Sequence, residues 1–267
     1  MEIIGRGFLA RSAEALAGAH PDAMLFVSGV SSAGEVSERE FSREAEMLYA
    51  MLRRCQLRRQ KLVYFSTSSI GMYGMLSMRG REDGPVFPRS AYGRHKLAME
   101  SVIKAAGTDY LILRLATPVG LYQRSHQFLP AMVRQVLRGS VHIQIGARRD
   151  LIDIEHVMAI LDDLLEGDLS REVVNIASGV AVPIEDLVRH LEERLGVTAR
   201  KQYSEVPSER AVSIAKLTRL SSSVAHMGFG PGYYRSVIDR YVEALAEEAV
   251  EPHQEPMSDS EPAMSWW

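Results

Sequence analysis

One cysteine stands in 267 residues, so neither an internal disulfide nor a cysteine-built metal site is available. An excess of basic charge is also missing. The 31 lysines and arginines face 34 acidic residues, a net charge of −3, which removes the electrostatic case for nucleic acid. No apolar run approaches the ~20 residues of a membrane helix, so no membrane partner is expected. The opening MEIIGRGFLA has no basic segment ahead of an apolar core, so no secretion signal is expected either. His126, His142 and His156 lack metal-ligand spacing, and no metal is expected. Internal repeats are absent. The only two tryptophans, Trp266 and Trp267, close an acidic, proline-bearing stretch that reads as a disordered tail from about residue 248. A hydrophobic fraction of 46% and a charged fraction of 24% then point to a cytoplasmic globular protein.

What is present is an alternation. EIIGRG (2–7) reads as a strand running into glycines, and FLARSAEALAG (8–18) as a helix. AMLFVSGV (23–30) is an apolar run of strand length. FSREAEMLYAMLRRC (41–55) places Phe41, Met47, Leu48, Met51, Leu52 and Cys55 on one helical stripe, with Cys55 expected in the core. Its basic end, RRCQLRR, suits a helix C-terminus. KLVYFSTSS (61–69) reads as a strand ending in hydroxyls, 91–106 as a helix, and DYLILRLATPVG (109–120) as one buried strand. FLPAMVRQVLRG, VHIQIG, IEHVMAILDDLLEG, VVNIAS and IEDLVRHLEERLG continue as helix, strand, helix, strand and helix. Residues 200–230 read as irregular, and a last helix spans 232–247. The expected fold is α/β, a Rossmann-like parallel sheet with helices on both faces and a small C-terminal substrate region. We place the dinucleotide-binding core at 1–178, with 121–142 contributing to the substrate region, and that region itself at 179–247.

Three motifs carry chemistry. Gly5-Arg6-Gly7-Phe8-Leu9-Ala10 follows a strand and opens a helix, where a dinucleotide fingerprint must lie, and glycines there admit a pyrophosphate at the helix N-terminus. Tyr92 and Lys96 are four apart on a helix and share a face. Tyrosine titrates near pKa ~10, and a nearby ammonium lowers that value, so the pair can give and take a proton. His95 lies in the same turn and is expected to face solvent. Thr67 and Ser68 end one strand, and Ser28 and Gly29 end another. Ligands in an open parallel sheet bind beyond such ends, although capping is the commoner use of a single hydroxyl there.

The order of glycine turn, FSTSS…YG, SAYGRHK, LILRLATPVG and RRDLIDIEHV resembles extended short-chain dehydrogenases/reductases of the NAD-dependent epimerase/dehydratase type, over roughly residues 2–190. It is similar in particular to a compact branch found among capsular and O-antigen sugar enzymes. The resemblance implies NAD or NADP as cofactor, a nucleotide-linked sugar as substrate and a homodimer. It implies Tyr92 as general acid/base, with Lys96 lowering its pKa and holding the nicotinamide ribose. Thr67, or Ser68 in the alternative alignment, would bond the reacting oxygen. Gly5, Arg6, Gly7, Phe8, Leu9 and Ala10 would lie at the pyrophosphate. Ser28, Gly29, Ser66, Thr117 and Pro118 would lie along the rest of the cofactor, and Ser69 and Arg149 at the substrate.

The departures from that pattern are informative. Only fifteen residues separate Gly7 from Ala23, so the strand that normally ends in a ribose-holding carboxylate is missing. Asp22 precedes a strand and is a poor substitute, and Arg6 could meet a 2′-phosphate instead. Ser68-Ser69 stands where dehydratases carry Asp-Glu. What remains is hydride transfer at one carbon, by 4-epimerisation or ketone reduction. A redox-silent protein binding a dinucleotide or sugar nucleotide on the same fold is the alternative.

Overall fold

The computed structural model describes residues 1–30, 37–68, 70–73, 80–205 and 211–250. The first half alternates as β1 (Glu2–Ile4), α1 (Phe8–Ser12), β2 (Ala23–Phe26), α2 (Glu38–Arg58), β3 (Lys61–Thr67), α3 (Ile70–Tyr73), α4 (Ala91–Ala105) and β4 (Tyr110–Leu115). The second half runs β5 (Thr117–Val119), α5 (Phe128–Leu137), β6 (Ser140–Ile145), β7 (Arg148–Arg149), β8 (Leu151–Asp153), α6 (Ile154–Glu166), β9 (Glu172–Ile176), β10 (Val182–Pro183), α7 (Ile184–Leu195), β11 (Arg200–Glu205), α8 (Ala215–Leu220) and α9 (Tyr233–Val250). The tail expected from residue 248 lies outside the described residues beyond Val250, where α9 ends.

Local chemistry sets several boundaries. In α2 the Ser37 backbone N–H donates to the Glu40 carboxylate at 3.2 Å, half of a capping box. At its other end Arg59 turns left-handed. In α4 the Ser90 hydroxyl accepts from the Gly93 N–H at 3.0 Å. The helix expected over 8–18 is shorter. α1 stops at Ser12, whose hydroxyl turns back on the Phe8 carbonyl at 2.9 Å, and a single 3₁₀ turn follows.

Two further expectations are corrected. DYLILRLATPVG is not one strand: β4 stays in the main sheet, while β5 leaves it to pair with β8. The region 200–230 is not irregular throughout. β11 pairs in parallel with β6, and α8 follows. β11 is polar along RKQYSE, so backbone pairing rather than a buried apolar face holds it, and periodicity could not reveal it.

Among the described residues one parallel sheet carries five strands in the order β1-β2-β3-β4-β9. β2 and β3 are buried along their whole length, as strands covered on both faces must be. One face packs Phe8 of α1 with Leu161 and Leu164 of α6. The other packs Leu48 and Leu52 of α2 with Met99 and Ile103 of α4. The crossovers β1–α1–β2 and β2–α2–β3 step in the same direction over opposite faces, so they are of opposite hand. Parallel crossovers are right-handed in about 98% of cases, and one of this pair departs from the rule. The departure is the mark of a shortened fold. β1 is flanked on both sides in a doubly wound sheet, but here no described strand lies beyond it.

A second cluster is built from α5, α7 and α9 over β6, around Val133, Ile143, Leu187, Val237 and Ile238. Asp153, the last residue of β8 and the N-cap of α6, ties it to the main body. Its N–H donates to the Tyr233 hydroxyl at 3.0 Å. Its carboxylate accepts from the Tyr241 hydroxyl at 2.6 Å and meets Arg240 at 2.7 Å.

Candidate active site

The site lies at the C-terminal edge of the sheet, where β1, β2, β3 and β4 all end. Gly5 leaves β1 with φ +155°, and an added Cβ would come within 2.7 Å of the Val27 carbonyl oxygen. Glycine is required there so that the first turn can lie against the exit of β2. Gly7 is the N-cap of α1, has no side-chain cap and has open space where a Cβ would be. The first-turn N–H groups, which lack helical partners, thus face a turn with room for a ligand. Phe8 and Ala10 are buried and Leu9 packs on the same core, so the backbones of these three residues, rather than their side chains, are what the turn can offer. Arg6 is exposed.

The exit of β2 crosses directly beneath α4. Ser28 is half-buried, with its hydroxyl 3.7 Å from the Met47 sulfur. A Cβ on Gly29 would meet the Glu44 carboxylate at 2.7 Å and the Lys96 ammonium at 3.0 Å. Gly5 therefore touches the β2 exit, and that exit touches Lys96. Ser66 and Thr67 end β3 and Ser68 follows it, and all three are buried. The Ser66 hydroxyl has no hydrogen-bond partner among the described residues, and the Ser68 N–H donates to Leu115 at 3.0 Å. Ser69 lies outside the described residues. Thr117 and Pro118, both half-buried, form β5 beside the end of β4.

The Tyr92–Lys96 pair is present, but Lys96 is already engaged. Its Nζ is buried and donates to Glu44 Oε1 at 2.8 Å and to the Tyr64 hydroxyl at 3.2 Å. It lies 5.7 Å from the centre of the Tyr92 ring. Tyr92 is half-buried. Contrary to the expectation that Lys96 lowers its pKa, the Tyr92 phenol is held above its ordinary value, first by burial and then by the Glu44 carboxylate. His95 does not face solvent. It stacks on Phe41 with ring centres 4.5 Å apart and reaches Glu44 at 3.2 Å.

Glu44 was not among the expected site residues. Burial alone would raise its carboxyl, but His95, Lys96 and Tyr64 together hold it well below the usual carboxylate range. A sequence signal existed: Glu44 lies three residues after Phe41 and four before Leu48, inside an otherwise apolar stripe.

A second buried network braces α4. Arg114 donates twice to Glu100, at 3.0 and 2.8 Å, and once to the Tyr73 hydroxyl at 2.9 Å. That hydroxyl in turn donates to Asn175 at 2.6 Å. The bidentate geometry fixes α4 to β4, and Tyr73 and Asn175 extend the tie to α3 and β9. Arg149 sits away from this core on β7. It is buried, donates to the Arg148 carbonyl at 2.9 Å, and lies over the Phe128 ring at 5.6 Å.

The model of the NAD dependent epimerase/dehydratase family matches residues 9–177. Among solved structures, RMD from Pseudomonas aeruginosa complexed with NADPH is similar at 19% identity and TM-score 0.72, over 92% of this chain and 98% of that one. WbmH from Bordetella bronchiseptica, in complex with NAD+, is similar at 20% identity and TM-score 0.72, over 91% and 81%. The UDP-glucose 4-epimerase of Thermotoga maritima, with UDP-glucose, is similar at 21% identity and TM-score 0.68, over 90% and 82%. These likenesses establish a common fold. Comparison with curated protein sequences gives no match. Among the described residues no helix is long and apolar enough to cross a membrane.

Proposed function

The chain belongs to the NAD-dependent epimerase/dehydratase family, and from that premise we propose that it is an NAD(P)-dependent oxidoreductase or epimerase acting on a nucleotide-linked sugar. The observation that carries the proposal is the unbroken run of contacts from Gly5 through the β2 exit and Gly29 to Lys96 and Tyr92. It joins a pyrophosphate turn to a proton-transfer pair at one edge of one sheet. The similar structures bound to NADPH, NAD+ or UDP-glucose support the choice of cofactor and substrate class.

The open turn at Gly7 fits a pyrophosphate, so the chain's own residues take these roles. Gly5, Arg6 and Gly7, with the backbones of Phe8, Leu9 and Ala10, hold the diphosphate. Lys96, Ser28, Gly29, Ser66, Thr117 and Pro118 line the nicotinamide side. A nicotinamide held there would supply the hydride acceptor and donor for one sugar carbon. As that carbon is oxidised, Tyr92 takes the proton of its hydroxyl, and it gives the proton back when the ketone is reduced. Thr67, or Ser68 in its place, donates a hydrogen bond to the same oxygen. Ser69 and Arg149 hold the sugar and its phosphates.

The test is Tyr92→Phe. The fold should be unchanged, because only a hydroxyl is removed, and turnover should fall by about 10²–10⁴-fold. Retention of more than about half the wild-type turnover would overturn the assignment.

The protein is proposed to act as a homodimer through α2 and α4, which lie on one face of the sheet. Tyr49 and Leu57 of α2 are 59% and 78% exposed, apolar surface that a two-fold partner would cover. Light scattering at micromolar concentration should give twice the chain mass, and a monomer there would exclude this assembly. One observation favours a redox-silent binding protein as a second reading: Lys96 is committed to Glu44.

A further inference from the structure

Glu44 and Tyr64 have no part in the chemistry above, yet both are buried beside Lys96. The Lys96 ammonium donates to Glu44 Oε1 at 2.8 Å and to the Tyr64 hydroxyl at 3.2 Å. That hydroxyl donates in turn to the same Oε1 at 2.6 Å, so ammonium, phenol and carboxylate close a triangle. The carboxylate is itself fixed. Its Oε2 accepts from the Val30 N–H at 2.7 Å and lies 3.2 Å from His95. Gly29 leaves the space in which carboxylate and ammonium meet, since a Cβ there would strike both. Three elements therefore converge on one lysine: α2 through Glu44, β3 through Tyr64, and the β2 exit through Gly29 and Val30. A buried carboxylate is costly unless paired, and an apolar residue is often no worse for stability. The α2 stripe already carries Leu48 and Leu52, so packing alone does not explain a glutamate there.

We propose that Glu44 and Tyr64 are positioning residues, which fix the Lys96 ammonium by two of its N–H groups and leave the third for a ribose hydroxyl of the cofactor. The inference rests on the reading of Lys96 as a cofactor-binding residue. It needs only that a dinucleotide binds, with or without hydride transfer. An ammonium carries three donors on a flexible four-carbon stem. Free in a cleft, such a stem loses its rotamer freedom when it grips a ligand. Held by Glu44 and Tyr64, it has lost that freedom on folding, and binding the cofactor does not cost it again. The commitment of Lys96 to Glu44 is then preorganisation for the cofactor rather than competition with it.

The test is calorimetric titration with NAD+ of four full-length chains: the wild type, Glu44→Leu, Lys96→Met and the double variant, each checked for folding by circular dichroism. A hydrogen bond to a charged group is worth about tenfold or more in affinity. Lys96→Met should weaken NAD+ by about that factor. Glu44→Leu keeps the lysine but frees it, and should weaken NAD+ by a similar factor. On the Lys96→Met background, Glu44→Leu should cost no further affinity, because its effect passes through the lysine. A further tenfold loss there would mean that Glu44 acts on the site as a whole, and would overturn the proposal. Wild-type affinity in folded Glu44→Leu overturns it too, as does tighter binding, the mark of competition. If Glu44→Leu does not fold, Tyr64→Phe decides, since it removes one anchor and no charge: NAD+ should weaken several-fold, and unchanged affinity overturns the proposal. Lys96→Met with wild-type affinity would instead sink the reading of Lys96, and a wild type that binds no NAD+ the reading of the cofactor. Either takes this inference with it.

Discussion

The two flanks of the sheet are built differently. Toward β3 and β4 the strands are buried except for Tyr110 at the start of β4, and α4 is fixed by two ionic networks, Glu44 with Lys96 and Glu100 with Arg114. Toward β1 the sheet ends in three half-buried residues. Their one charge, Glu2, meets Arg54 and Arg58 on partly exposed side chains. A short edge strand carrying a charge is a safe way to end a sheet. The contrast teaches where this fold can be trimmed. The proton-transfer pair needs fixed positions, so the strands and helices beneath it are over-determined. No described strand lies beyond β1, and the ladder from β2 to β9 is complete without one.

This contrast can be broken by mutation. Glu100→Gln leaves the Arg114 guanidinium buried with its partner's negative charge gone and one of the two acceptor oxygens replaced by a donor amide. Breaking a buried pair in this way costs about 3–5 kcal/mol, read as a loss of unfolding free energy in denaturant. Glu2→Gln, on the opposite flank, weakens two partly exposed ion pairs and should cost under about 1 kcal/mol. Equal losses at the two positions would erase the proposed difference between the flanks.

Much of the reactive flank was legible in the sequence, because its signals are local. Tyr92 and Lys96 are one helical turn apart, the glycine turn stands between a strand and a helix, and the apolar runs of β2, β3 and β4 have strand length. What was not legible depends on distance along the chain. Glu44 and Lys96 are 52 residues apart, and nothing local joins them. The polar residue in the α2 stripe hinted at a buried charge but not at its partner. The break between β4 and β5 was hidden because Ala116 continues the apolar run, and only the pairing of β5 with β8 separates the two. The solvent-facing orientation expected of His95 failed because α2, which covers that side of α4 with Phe41, is not visible from the spacing within α4.

The bare flank makes the most direct test a calorimetric titration of the wild-type chain with NAD+ and with NADP+, each with and without UDP-glucose. A carboxylate on the adenosine ribose would repel the 2′-phosphate, and a basic pocket would select it, but none of the described contacts at β1 supplies either. The account predicts that both cofactors bind, with affinities within about a hundredfold of each other, roughly 2.7 kcal/mol. No binding of either, with or without the sugar nucleotide, would contradict it.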